Sequence, residues 1–270
     1  MRVSGEGRQP MLFAHGFGCD QTMWRFVAPA FEVTQQVVLF DYVGSGKSDA
    51  KEYNAERYSS LRGYAQDVLD VCDALELREV VFVGHSVSSI TGILAAIKRP
   101  DLFHSLILVA PSPRYIDDPP SYRGGLRKAD VDELLGTMEK NYVGWANFLA
   151  PAVMQRPDRP ELTEELAQSF CSTDPVIARR FAEATFYSDN RKDLRNVSTP
   201  TLILQCAVDA IAPLEVGEFM RREMQNSELR IIKTTGHCPH MSAPEETIAE
   251  MKSYLERLRA QKSSGRGEQS

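Results

Sequence analysis

A mostly parallel, doubly wound α/β sheet with an inserted helical lid is the fold that the 270-residue sequence predicts. Two observations carry that expectation. Short apolar runs rich in Val, Ile and Leu alternate with amphipathic stretches of helical period, as strands buried on both faces and covered by helices should. The alternation stops between about residues 112 and 196 and resumes directly afterwards, so a helical block sits between two strands of one sheet.

The strands come first. "PMLFAH" (10–15), "QVVLFDY" (36–42), "EVVFVGH" (79–85), "SLILVA" (105–110), "TLILQC" (201–206) and "LRIIKT" (229–234) are continuously apolar rather than alternating. Between them the spacing predicts helices over 22–31, 60–76, 87–98, 214–224 and 245–259. In the second of these Leu61, Tyr64, Ala65, Val68, Leu69 and Val71 share one face. The interruption opens on the proline-rich "PSPRYIDDPPSYRGG" and continues with helical segments near 129–140, 142–153, 161–171 and 175–188. Asp174-Pro175 is a start signal for the last, an N-cap followed by proline at the first helical position. The expected organisation is a core built from 1–111 and 197–260, a lid at 112–196, and a disordered polar tail at 261–270.

Composition narrows the function classes. The chain is 43% hydrophobic and 25% charged, with a net charge of −6. That balance gives no reason to expect nucleic acid or an anionic membrane as partner. The N-terminal "MRVSGEGRQP" lacks the apolar core of a signal peptide, and no apolar stretch reaches membrane-spanning length. The five cysteines are odd in number and unpaired in spacing, which reads as free thiols in a reducing compartment. A cytoplasmic setting is expected.

The chemistry starts at "VVFVGHSVSSITG" (80–92), where an apolar strand breaks at Gly84-His85-Ser86-Val87-Ser88 and a small-residue helix follows. A serine on a tight strand-to-helix turn is the nucleophile-elbow pattern, whose crowded geometry demands small residues two positions either side. Gly84 satisfies this, and Ser88 replaces the usual second glycine. A serine needs a base to take its proton, and the base needs an acid to fix its tautomer. In this fold the chain order is nucleophile, acid, histidine. Asp209 follows "TLILQC", and His237 follows "LRIIKT", each where the carboxyl end of a parallel strand meets solvent.

Competitors are weaker on chain position. His240 shares the loop of His237, but the Gly236-His237 turn follows the strand directly. His237, Cys238 and His240 together suggest a metal, yet no second ligand pair supports it. Asp41 precedes the serine and is expected to brace "DYVGSGKSD"; Asp189 is a further alternative acid. "FAHGFGCDQ" (13–21) supplies an oxyanion loop, with the Phe17 N–H joining the Val87 N–H of the elbow. His15 is expected to brace that loop, while His85 and His104 have no evident partners. No cofactor is called for. Trp145 and Phe186, above Phe17 and Val87, are candidates for the pocket wall, although each alone fits ordinary helix packing equally well.

The stretches "HGFGCDQTMW", "DYVGSGKSD", "GYAQDVLDVCDAL", "VGHSVSS", "PSPRYIDDPP", "FCSTDPVIARRFA" and "GHCPHMSAPEETI" are specific. From about residue 2 to 258 the chain resembles the α/β-hydrolases of the RsbQ type, bacterial stress regulators related to plant karrikin and strigolactone receptors. The resemblance implies Ser86, Asp209 and His237 as triad and the amides of Phe17 and Val87 as oxyanion hole. It also implies a four-helix lid over an apolar pocket and slow hydrolysis of a small apolar ester or butenolide-type lactone. The resemblance further implies that this activity is coupled to stress signalling through a PAS-domain protein phosphatase that switches on a sigma factor. Leu126, Leu135 and Leu149 stand where the plant receptors carry phenylalanine, so ligand preference need not transfer. A dehalogenase would need an acidic nucleophile at position 86 and is excluded. A plain metabolic esterase or lactonase, and a receptor with little turnover, remain the alternatives.

Overall fold

The structure, a computed structural model, describes residues 1–267, with side chains described through Gln261. Seven strands form one sheet: β1 (Arg2–Ser4), β2 (Gln9–Ala14), β3 (Gln35–Phe40), β4 (Val80–His85), β5 (Phe103–Val109), β6 (Thr201–Val208) and β7 (Ser227–Thr235). Their order across the sheet is β1-β3-β2-β4-β5-β6-β7. β1 runs antiparallel to β3, and every other pairing is parallel. The doubly wound sheet expected from the sequence is present. β1 was not expected, because three residues at an edge, two of them exposed, leave no apolar run to read.

The helices are α1 (Leu61–Ala74), α2 (Val87–Lys98), α3 (Lys128–Lys140), α4 (Tyr142–Met154), α5 (Pro160–Ser172), α6 (Pro175–Phe186), α7 (Leu214–Glu223), the short α8 (Pro239–Ser242) and α9 (Pro244–Gly267). Residues 22–31 differ from expectation. They form two 3₁₀ turns, Gln21–Trp24 and Ala28–Phe31, because Pro29 cannot donate to a continuous helical ladder. On α1, Cys72 rather than Val71 completes the buried face. α9 continues to Gly267, so residues 261–267 of the expected tail are helical in backbone, and residues 268–270 lie outside the described residues.

Continuous apolarity in the strands follows from burial on both faces. Met11, Phe13, Val81, Val83, Ile107 and Val109 enter one core, and the residues between them, Leu12, Val80, Phe82, Leu106 and Leu108, enter the other. Each such side chain contributes roughly 1.5–3 kcal/mol when fully buried. The period-two alternation is therefore real but hidden, since both phases are apolar. α2 is buried along nearly its whole length behind the sheet.

Between β5 and β6 stand α3 to α6, with α4 packed on α3 and α5, and α3 on α6. The start of α6 is the one read from sequence: the Asp174 side chain accepts from Val176 N at 2.8 Å and Ile177 N at 3.1 Å, with Pro175 next. All five cysteines are free; Cys171 is exposed and the other four are buried. Among the described residues no helix is long and apolar enough to cross a membrane.

Candidate active site

β4 delivers Ser86 to the sheet's carboxyl edge, and the chain reverses there into α2. Ser86 takes φ 55° and ψ −122°, a conformation that non-glycine residues adopt only when the surroundings over-determine it. The closeness of that turn explains Gly84, where a Cβ would lie 2.6 Å from the Ser88 carbonyl oxygen. Ser88 does more than stay small. Its fully buried hydroxyl donates to the His15 carbonyl and lies 3.1 Å from the Tyr42 hydroxyl, so it ties the elbow to the 15–19 loop. A glycine could not make that bond.

His15 braces the same loop from the other side. Its Nδ1–H donates to the Gly16 carbonyl at 2.9 Å, and its Nε2 accepts from Tyr42 N at 3.2 Å. Asp41 accepts from Gln21 N and Gln21 Nε2, both at 2.8 Å, and from Lys47 N at 3.1 Å. It clamps two loops together and does not reach His237. Asp189 pairs with Arg114 and Arg191 instead; burial would raise its carboxyl, but the two guanidiniums pull it to about 2.

The remaining two side chains meet Ser86. Asp209 follows β6, and its Oδ1 accepts from Ile211 N at 2.8 Å and Ala212 N at 3.1 Å. Its Oδ2 accepts from His237 Nδ1–H at 2.7 Å, and His237 Nε2 lies 2.7 Å from Ser86 Oγ. All three side chains are buried. The chain of bonds can move one proton: from the serine hydroxyl to Nε2, with the carboxylate holding the ring in the required tautomer.

The loop of His237 is held from two directions. His85 Nε2–H donates to the His237 carbonyl at 2.8 Å, giving His85 the partner that sequence did not reveal. From the inserted helices, the Val153 carbonyl at the end of α4 accepts from His237 N at 2.7 Å. The Gln155 carbonyl accepts from Thr235 Oγ1 at 3.0 Å. Gly236, at φ 92°, presses so closely on this helix end that a Cβ would lie 2.0 Å from the Met154 carbonyl oxygen. His104 lies near Glu79, 3.3 Å away, at the amino end of β5 and so at the opposite edge of the sheet from this site.

His240 is not part of the proton path. It is fully buried, with ring centroids 4.7 Å from Trp24 and 4.4 Å from His85, and neither ring nitrogen finds a partner among the described residues. Burial, then the neighbouring His237, pushes its pKa down to about 3. His85, Cys238 and His240 bring one possible metal donor atom each to within 4.8 Å of one another. His237 stands outside that group, so the cluster differs from the His237-Cys238-His240 grouping suggested by spacing.

These histidines give a pH prediction. His240 holds its folded-state pKa below the ordinary 6.5, as do His15 and His85, all chiefly through burial. Stability is therefore complete above the unfolded pKa and falls as pH drops toward the folded one. For His240 the loss reaches about 2 kcal/mol near pH 5. His240→Phe keeps a stacked ring but cannot titrate. Thermal melting of both proteins at about pH 7 and about pH 5 should show the acid-induced loss reduced by about that amount in the variant. An unchanged loss would mean His240 takes no part.

Above Ser86 lies a cavity of about 300 Å³, lined mainly by apolar side chains. Of the expected wall, Phe17, Leu126, Leu149 and Phe186 line it. Trp145, Leu135 and Val87 do not. Trp145 is fully buried, stacked on Tyr142 at 5.5 Å and edge-on to Phe17 at 6.1 Å, so it supports the wall from behind. Leu135 points into the inter-helix core, and its neighbour Leu134 reaches the cavity. The Val87 side chain is buried behind the sheet with α1 and α2, although as the first residue of α2 its N–H lacks an intrahelical acceptor. Sequence reasoning missed Tyr115, whose hydroxyl lies 3.2 Å from Ser86 Oγ, and Phe148, Val153 and Ile211. Tyr115 lies within a proline-rich loop with no periodicity, so nothing in the sequence aimed it at the serine.

A buried Ser-His-Asp chain at the carboxyl edge of a doubly wound sheet defines a class, and the comparison agrees. The chain belongs to the alpha/beta hydrolase family, matched across residues 11–250. It is 36% identical over 245 residues to the strigolactone esterase RMS3 of Pisum sativum, covering 90% of this chain and 91% of that protein. It is 35% identical to the karrikin insensitive 2 receptor CA of Petunia hybrida, covering 92% of each. A solved hydrolase from Oleispira antarctica is 45% identical, with a TM-score of 0.92 over 94% of this chain and 93% of that one.

Proposed function

We propose that this protein is a serine hydrolase that cleaves a small apolar ester or butenolide-type lactone through an acyl-enzyme on Ser86. The observation that carries the reading is the Asp209–His237–Ser86 chain, with 2.7 Å at each His237 nitrogen, opening onto an apolar cavity of about 300 Å³. His237 takes the serine proton as Oγ attacks, and returns it to the leaving oxygen. Asp209 holds the ring and stabilises the imidazolium that forms. The N–H groups of Phe17 and Val87 receive the charge on the carbonyl oxygen, and water then attacks the acyl-enzyme with His237 again as base. Phe17, Leu126, Leu149 and Phe186 select an apolar acyl or ring group by exclusion of water.

The names of the relatives, a strigolactone esterase and a karrikin receptor, support lactone-like ligands and a signalling output. We extend the proposal accordingly: residues 112–196 act as a lid, and in the cytoplasm a protein partner reads its state. By the RsbQ-type resemblance, that partner is a PAS-domain phosphatase feeding a stress response. A second reading, a plain metabolic esterase or lactonase, is supported by the Oleispira antarctica relative, which is described only as a hydrolase.

Hydrogen exchange separates the two. A ligand shifts a lid equilibrium only through differential affinity for its states, and about 1.4 kcal/mol of coupling changes partner affinity tenfold. With a slowly hydrolysed lactone held on Ser86→Ala, residues 111–190 should exchange more slowly, and the core strands should stay protected throughout. Confirmed binding with identical exchange over 111–190 would favour the rigid metabolic esterase.

A further inference from the structure

Tyr115 touches the proposed nucleophile, and the bonding around Ser86 fixes the direction of that contact. Asp209 Oδ2 accepts from His237 Nδ1–H, which leaves Nε2 as an acceptor. The single proton of Ser86 Oγ therefore lies in its 2.7 Å bond to Nε2. The 3.2 Å contact between Ser86 Oγ and Tyr115 must then be a donation from the phenol to Oγ. The Tyr115 ring is buried, borders the cavity, and packs edge-on to Phe186 at 5.3 Å. Its hydroxyl has no other hydrogen-bond partner among the described residues. Burial holds the phenol above its ordinary pKa, so it stays protonated and acts as a donor.

We propose that Tyr115 is a catalytic residue that donates first to Ser86 Oγ and then to the leaving oxygen. This rests on Ser86 being the nucleophile. In the resting enzyme the phenol occupies a lone pair of Oγ and so restrains its attack. As the Oγ–carbon bond forms, the Oγ proton passes to His237 Nε2 and the carbonyl π pair moves onto its oxygen. Oγ is then an ether-type oxygen that has lost its charge-rich character, whereas negative charge builds on the leaving oxygen as its bond stretches. The leaving oxygen shares a carbon with it and is a near neighbour, so a small rotation carries the phenol from one to the other. When the carbon–oxygen bond breaks, its electron pair goes to the leaving oxygen, which takes the proton from His237. Tyr115 keeps its own proton and stabilises the charge that builds before that transfer.

Donation at the leaving oxygen matters most where that oxygen leaves badly. Tyr115→Phe should slow acylation by nitrophenyl esters least, read as kcat/KM, because that leaving group needs little help. Alkyl esters and alkoxide-releasing lactones should lose about 10- to 100-fold in kcat/KM. With kcat/KM plotted against leaving-group basicity for a series of acetates, the variant should fall more steeply than the wild type. Parallel lines, with the same fold-change on aryl and alkyl acetates, would reduce Tyr115 to wall packing and overturn the proposal. Ser86→Ala measured beside it keeps the two claims distinct: turnover surviving in that variant would sink the nucleophile itself. Should Tyr115→Phe not fold, 3-fluorotyrosine placed at position 115 is a stronger donor of the same shape. It should raise alkyl-ester turnover relative to aryl, and an equal effect on both would again overturn the proposal.

Discussion

Ser86→Ala should abolish ester hydrolysis, lowering kcat by about 10⁶-fold, while the protein keeps its fold. The size follows from what is lost. Among the described residues no other hydroxyl lies within bonding distance of His237 Nε2, so removing Oγ leaves a base with nothing to activate. The fold should tolerate the change because the side chain borders a cavity and the strained φ of 55° is already met by a residue carrying a Cβ. Alanine adds no atom to that turn. Hydrolysis of nitrophenyl butyrate by the purified variant is the measurement. A residual rate of about a tenth of wild type, against the expected loss, would place the nucleophile elsewhere.

Asp209→Asn should lower kcat by about 10⁴-fold, and the structure says why the loss is in tautomer rather than position. Two backbone amides, Ile211 N and Ala212 N, donate to Oδ1. An asparagine must keep its carbonyl oxygen there, which turns its NH₂ toward His237 Nδ1. Two donors cannot face each other, so the ring proton moves to Nε2 and points at Ser86 Oγ. The base is then occupied. Asp41→Asn creates a similar conflict among Gln21 and Lys47, but there it costs stability, and turnover per folded molecule should change far less. Asp189→Asn weakens surface ion pairs alone. A folded Asp41→Asn more damaging than Asp209→Asn would overturn the assignment of the acid.

What was legible in the sequence was whatever depends on position along the chain. Ser86, Asp209 and His237 each follow an apolar run that forms a parallel strand, and strand ends are where such sheets place polar groups. The residues read poorly were those whose role depends on the direction of a side chain. Leu134 and Leu135 are adjacent in α3, and helical phase alone sends one to the cavity and the other to the core. Trp145 was expected on the wall because it is large and aromatic, yet stacking on Tyr142 draws it behind Phe17. Tyr115 comes from an irregular segment between β5 and α3, where no period constrains what a residue faces. The role of Ser88 was invisible for another reason. A motif that asks only for smallness gives no hint that a hydroxyl would be used to bind the His15 carbonyl.

The end of α4 gives the inserted helices a mechanical link to the proton path. Val153 and Gln155 offer carbonyls that no further helical turn can use, and residues 235–237 take them up. The base is thus mounted on two frames at once: its side chain on Asp209 from the sheet, its backbone on α4 from the insertion. If α4 swings outward, either the imidazole is dragged from Ser86 or the bond from His237 N breaks. Seating of the helices and readiness of the base become one event, as in a clutch. A molecule that props α4 open would stall proton transfer without touching Ser86, Asp209 or the His237 ring.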